Sequence, residues 1–159
     1  MNTAFSRNKK GQSAMEYLMT YGWAILIVII VAAVLFSLGL FNPGTYTTTT
    51  AVGFSGFNVP AGGFQLTSAG ILTVQIVNGA GATIDIDSAS ATIGTDTVAM
   101  AAAINNVAPG QTATLTFDFT AVGPYNTGSA YTSNVQMGYT NDNTGLAFVS
   151  SGTLTGSVS

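Results

Sequence analysis

Hydrophobic and polar positions divide this chain into two regimes. Between Trp23 and Phe41 there is no ionisable residue, and Ser37 is the one polar side chain. The run is apolar on every helical face rather than along one stripe, which predicts a helix enclosed by lipid or by other helices. As a helix it spans roughly 28 Å, close to the hydrocarbon thickness of a bilayer at about 30 Å. A chain of 159 residues is too small to surround such a helix with its own core. Asn42-Pro43-Gly44 is expected to stop it, because proline cannot continue a helix.

From Thr45 onward the period changes to that of strands. Leu72-Thr73-Val74-Gln75-Ile76 and Thr83-Ile84-Asp85-Ile86-Asp87 alternate apolar with polar residues, with Asn78-Gly79-Ala80-Gly81 as turn chemistry between them. After Pro109-Gly110, residues Thr112, Thr114, Thr116 and Asp118 alternate against Ala113, Leu115, Phe117 and Phe119. Tyr131, Val135, Met137 and Tyr139 are in phase, as are Leu146 and Phe148. Further short strands are expected near Thr45–Phe54, Phe64–Thr67, Ala89–Ala101 and Gly152–Val158. Short strands with turns at this spacing predict an antiparallel β-sandwich. The fold class is therefore α+β, a long N-terminal hydrophobic helix followed by a sandwich, with no persuasive internal repeat.

Charge sharpens the division. Arg7, Lys9 and Lys10 are the only cations, whereas Glu16, Asp85, Asp87, Asp96, Asp118 and Asp142 all follow Gly11. Basic residues ahead of the apolar run keep the N-terminus cytoplasmic and send the rest of the chain outside. Nucleic acid is excluded as a partner, since phosphate neutralisation needs lysine and arginine. Mean hydropathy is +0.45 and charged residues make up 6%, far below a typical soluble domain. Without cysteine there are no disulfides, thiol chemistry or cysteine metal sites.

An ordinary secretory signal places a small-residue cleavage site after its apolar stretch, and Phe36-Ser37-Leu38-Gly39 fits that poorly. The conspicuous break precedes the stretch, at Lys10-Gly11-Gln12. Lys9-Lys10-Gly11-Gln12-Ser13-Ala14-Met15-Glu16-Tyr17, followed by Trp23-Ala24-Ile25-Leu26, resembles the class III signal sequence of archaeal type IV pilin-like proteins. The resemblance covers roughly the first 40 residues. It implies cutting between Gly11 and Gln12 by a membrane-embedded prepilin peptidase, with Lys9, Lys10, Gly11 and Gln12 as the processing site. It divides the chain into a leader (1–11), a transmembrane and filament-core helix (12–41) and a surface domain (42–159). The implied product is a homopolymer, a surface pilus built through the N-terminal helices by an assembly machinery and serving adhesion. The alternatives are a membrane-anchored surface binding module, a minor pilin and a Ca²⁺-dependent lectin-like domain.

On that reading Glu16 is the fifth residue of the mature chain. A carboxylate near hydrocarbon is costly unless paired, protonated or close to the headgroups. The one cation left is the new α-amino group of Gln12, four residues away on the same helix face. The pair can form within one chain or, as the resemblance implies, between subunits. Glu16 can instead serve peptidase recognition or favour the helix N-terminus through the macrodipole. Tyr17, Tyr21 and Trp23 read as an interfacial aromatic belt in the membrane and as packing residues between helices in a filament. Gln12, Glu16, Tyr17, Tyr21 and Trp23 are thus the candidate assembly residues.

Candidate chemistry elsewhere is sparse. With neither His nor Cys there is no Ser-His or Cys-His pair, and the lysines belong to the leader. Ala61-Gly62-Gly63 lacks the lysine of a phosphate loop. Asp85 and Asp87 alternate onto one strand face, and Asn141-Asp142-Asn143 is a weaker oxygen-rich stretch. Both read as solvated strand or turn residues, so no catalytic residue, metal or cofactor is expected. Thr47-Thr48-Thr49-Thr50 reads as an exposed edge or linker, with O-glycosylation or close subunit packing as the sharper option; no N-glycosylation sequon occurs.

Overall fold

The computed structural model describes residues 9–41 and 43–159, with the side chains of 9–12, 43 and 45 outside the description. The chain divides into two compact units that meet between Phe41 and Asn42. Most of the first unit is helix α1, Lys9–Ser37. The second contains a short 3₁₀ turn, Pro43–Tyr46, and ten antiparallel strands. The α+β expectation holds.

Helix α1 ends four residues before the expected Phe41 boundary. Gly39 adopts φ 69, a left-handed conformation that only glycine reaches without strain. Its N–H donates to the Phe36 carbonyl at 3.0 Å, and the Leu40 N–H donates to the Leu35 carbonyl at 3.2 Å. These two bonds form a Schellman cap, which satisfies carbonyls that the last turn would otherwise leave open. Pro43 therefore does not stop the helix; it opens the 3₁₀ turn beyond it.

The strands are β1 Thr50–Val52, β2 Phe57–Asn58, β3 Phe64–Leu66, β4 Ile71–Asn78 and β5 Ile84–Ile93, followed by β6 Asp96–Ala99, β7 Ile104–Val107, β8 Thr112–Asp118, β9 Ala130–Asn141 and β10 Leu146–Ser157. One sheet runs β1-β10-β9-β5-β6, with β7 also paired to β5. In the other, β4 is paired along its length with β8 and also carries β2 and β3. Alternating positions of both sheets meet in one core, including Leu66, Leu72, Val74, Ile76, Leu115 and Phe117 from one sheet, joined by Phe119 just past the end of β8. Ile84, Ile86, Ala91, Val135, Met137 and Leu154 come from the other. Among the described residues, none of α1 belongs to this core.

Several expected strands have different bounds. The stretch Ala89–Ala101 is not one strand: β5 turns back into β6 through Gly94-Thr95, with Gly94 at φ 64. That is the first central position of a two-residue hairpin turn, where a positive φ matches the twist of the flanking strands. Only Thr50–Val52 of Thr45–Phe54 is extended in a ladder. The Leu146 and Gly152–Val158 segments are one continuous strand, β10. Strands β2 and β7 have no alternation long enough to predict them.

The turn after Asn78 links the two sheets instead of closing a hairpin, since β4 and β5 lie in different sheets. Asn78 is buried at 2% exposure, and each of its polar groups is used. Its Nδ2 donates to the Ala82 and Val107 carbonyls, both at 2.8 Å, and its Oδ1 accepts the Ala80 N–H at 2.9 Å. A buried amide fully satisfied in this way fixes the corner, because leaving any of these groups unpaired is costly.

Candidate functional site

The sequence places the functional candidates on α1. From Ser13 to Ser37 the helix has a mean hydropathy of 2.6 over its most apolar window, and none of that window is buried. Exposed side chains surround it: Leu18 at 71%, Trp23 at 69%, Ile29 at 61% and Phe36 at 69%. Residue 13 to residue 37 covers about 37 Å of helix, long enough to cross a membrane by length and composition. Water is a poor solvent for a surface of this kind. Burying one such aliphatic or aromatic side chain is worth about 1.5–3 kcal/mol.

Lys9, Lys10, Gly11 and Gln12 occupy the first turn of α1 by backbone. Their side chains lie outside the described residues, as do Arg7 and most of the leader. The expected contact between Gln12 and Glu16 therefore also falls outside the description. Glu16 is exposed, and its backbone carbonyl accepts the Thr20 hydroxyl at 2.9 Å. That back-bond gives the Thr20 hydroxyl a partner one turn earlier on the helix itself. The only cationic side chains of the sequence, Arg7, Lys9 and Lys10, lie outside the described residues, so an ion pair of Glu16 with any of them falls outside the description as well.

The aromatic candidates separate into two sets. Tyr17 and Tyr21, one turn apart, bring their ring centroids to 4.6 Å with the planes tilted by 36°. Trp23 is not part of that pair. It lines a notch of about 210 Å³ with Met19, Gly22 and Leu26. The notch exists because Gly22 has no side chain, and nothing lies within 4 Å of where its Cβ would stand. A protruding side chain of another helix fits such a depression.

In the β-domain Asp85, Asp87 and Asp118 each accept a hydrogen bond from a different residue. A register shift between Ile86 and Ser88 puts a bulge at Asp87. Asp85 accepts the Asn106 N–H at 2.7 Å, whereas Asp87 accepts the Thr140 hydroxyl at 2.7 Å. Bonding from the Thr120 side chain, and from the Thr120 N–H, which Asp118 accepts at 2.9 Å, holds the carboxyl pKa of Asp118 below the ordinary value. Among the described residues no group of three or more acidic, histidine or cysteine side chains converges on a metal position. A surface groove of about 450 Å³ crosses the outer face of the larger sheet and is lined by neutral groups such as Ser90, Asn134, Gln136 and Ser151.

Sequence reasoning missed the Gly39 cap, whereas Gly22 reads from sequence as a place for close helix approach or a local kink. Gly39 was legible as a glycine just past a helical run, but Pro43 offered a stronger apparent stop. Gly22 shows its consequence only when its i−3, i+1 and i+4 neighbours are placed around it.

The geometry defines a class: an antiparallel sandwich with a complete core of its own, preceded by an apolar helix that the chain leaves uncovered. Compared with known protein families and with characterised proteins, the chain matches none.

Proposed function

We propose that the chain is the structural subunit of a type IV-like surface filament, a pilin. One observation carries the reading. Helix α1 is apolar on all sides with none of its hydrophobic window buried, while the β-domain closes its core without it. Such a helix needs a solvent that the chain cannot provide. In the membrane that solvent is lipid, and in a filament it is the helices of other copies.

The precursor inserts with its basic residues inside, and the peptidase removes residues 1–11 by cutting between Gly11 and Gln12. Assembly then exchanges lipid for sister helices. Tyr17, Tyr21 and Trp23 pack between helices, the Gly22 notch accepts a neighbouring side chain, and Glu16 meets the new amine of Gln12. Head-to-tail contacts of this kind do not close, so they extend into an open helical polymer. The β-domains form its outer wall, which is the surface available for adhesion.

Intact mass and N-terminal sequencing of filaments sheared from cells test this reading. The proposal expects a dominant subunit that begins at Gln12. A protein that remains in detergent-extracted membrane as a monomer with residues 1–11 attached is instead an anchored surface module.

A further inference from the structure

Strand β10 pairs with β9 over its whole length, but β1 covers its other side only at Thr153–Thr155. Beyond Val52 the chain leaves this edge, crossing at Ser55, whose N–H donates to Ser150 Oγ at 3.0 Å. Among the described residues, no strand borders Leu146–Val149 on that side. The segment is also uncovered on both faces, with Leu146 59%, Phe148 43% and Val149 65% exposed. An open, apolar edge without charge or proline is a template for another strand.

The other edges of the sandwich are blunted. Strands β1, β2 and β3 are three residues or shorter. Strand β6 begins with Asp96, and β7 contains Asn106 at φ 58, outside the extended region. Strand β8 ends in Asp118 and presents threonines on its exposed face. Leu146–Val149 has none of these protections.

We infer that Leu146–Val149 is a pairing edge for a second copy of this chain, joined antiparallel to the same segment across a two-fold axis normal to the sheet. The copy is the fitting occupant for three reasons. An uncharged edge accepts an uncharged extended strand, and Leu146–Val149 is itself such a strand with one side left open. With Ala147 opposite Ala147, each Leu146 faces Phe148 of the other copy and extends the Phe148–Tyr139 stack, whose centroids lie 5.5 Å apart. Asp142 then falls opposite Gly152, so no carboxylates meet. Finally, four residues bury far less than the roughly 800 Å² per partner of a stable free complex. The contact therefore suits partners already confined together, as copies sharing a membrane or a filament are, where effective concentration reaches the millimolar range. The pairing needs only the β-domain edge and a confined copy, so it does not rest on the filament reading.

The test uses the full-length chain in detergent micelles, which contains no native cysteine. Ala147→Cys treated with a short bis-maleimide is expected to give covalent dimer about tenfold faster than Val122→Cys, an exposed position elsewhere. Adding Val149→Lys should return the rate to the control, because an edge lysine blocks pairing. The reciprocal combination, Val149→Cys with and without Ala147→Lys, should behave alike. Both positions are exposed, and an unchanged unfolding midpoint verifies that each variant is folded. Crosslinking of Ala147→Cys no faster than Val122→Cys, or crosslinking indifferent to either lysine, overturns the inference.

Discussion

The Asn78 side chain donates to the Val107 carbonyl at 2.8 Å and thereby ties the end of β4 in one sheet to the end of β7 in the other. The same amide nitrogen serves the Ala82 carbonyl, so a single buried side chain sets the crossing between sheets. Asn78→Ala strands two buried carbonyls and is expected to lower stability by about 3 kcal/mol. Asn78→Asp should cost more, since a carboxylate cannot donate to either carbonyl and would be buried as a charge. Urea unfolding measures both. A loss below ~1 kcal/mol for Asn78→Ala would show that the corner is held elsewhere.

The Tyr131 phenol is 6% exposed, and burial pushes its pKa up to about 12, against an opposing contribution from the Leu66 backbone. Burial also raises Tyr125, helped by the negative charge of Asp96. A raised folded pKa means that the folded state holds its proton more tightly than the unfolded chain does. The corresponding stability is whole below the ordinary value of 10.0 and is lost as pH rises through about 12. The domain should therefore melt at progressively lower temperature over that alkaline window, and Tyr131→Phe should flatten the fall. Asp118 acts in the opposite sense: its lowered pKa supports the fold above 3.8, and that support fades as acid protonates it.

After Gly11 the chain has no cationic side chain, so the β-domain forms no side-chain salt bridge. Its stability rests on burial and hydrogen bonds, which salt screens little. Its melting temperature should be nearly flat between low and moderate salt, with at most a slight rise as repulsion among the acids is screened. A marked fall on adding salt would contradict this account.

Much of this fold is legible in the sequence because two periods differ so clearly. The all-round apolarity of Trp23–Phe41 and the alternation through Thr112–Phe119 leave little choice of element. What is hidden depends on partners. Asn78-Gly79-Ala80-Gly81 reads correctly as a turn, but nothing local says that it changes sheets, because the carbonyls of Ala82 and Val107 converge only in three dimensions. The Ala89–Ala101 stretch hides a hairpin because Thr and Ser continue the strand pattern on both sides of Gly94. Asp85 and Asp87 alternate in the sequence, but the bulge between Ile86 and Ser88 and their separate partners, Asn106 and Thr140, are not legible there. The candidate assembly residues were legible as types, whereas the separation of Trp23 from the Tyr17–Tyr21 pair required the helix itself.

Glu16 provides a test of assembly apart from folding. Glu16→Gln removes the charge and keeps the size, so insertion and cutting after Gly11 should persist. Surface filaments should fall about tenfold, equivalent to losing ~1.4 kcal/mol of charge-assisted contact per subunit. Counting filaments by electron microscopy, with intact mass to verify the Gln12 terminus, reads both outcomes. Undiminished filaments in the variant, or a native N-terminus cyclised to pyroglutamate, would remove the proposed pairing with the amine.

The central claim concerns what surrounds α1, and a density map of filaments sheared from the cell surface tests it most directly. The account predicts a core of α1 helices packed on one another, sheathed by β-sandwiches and starting at Gln12. Helices lying at the outer surface in contact with water, or filaments built from sandwiches alone, would contradict it.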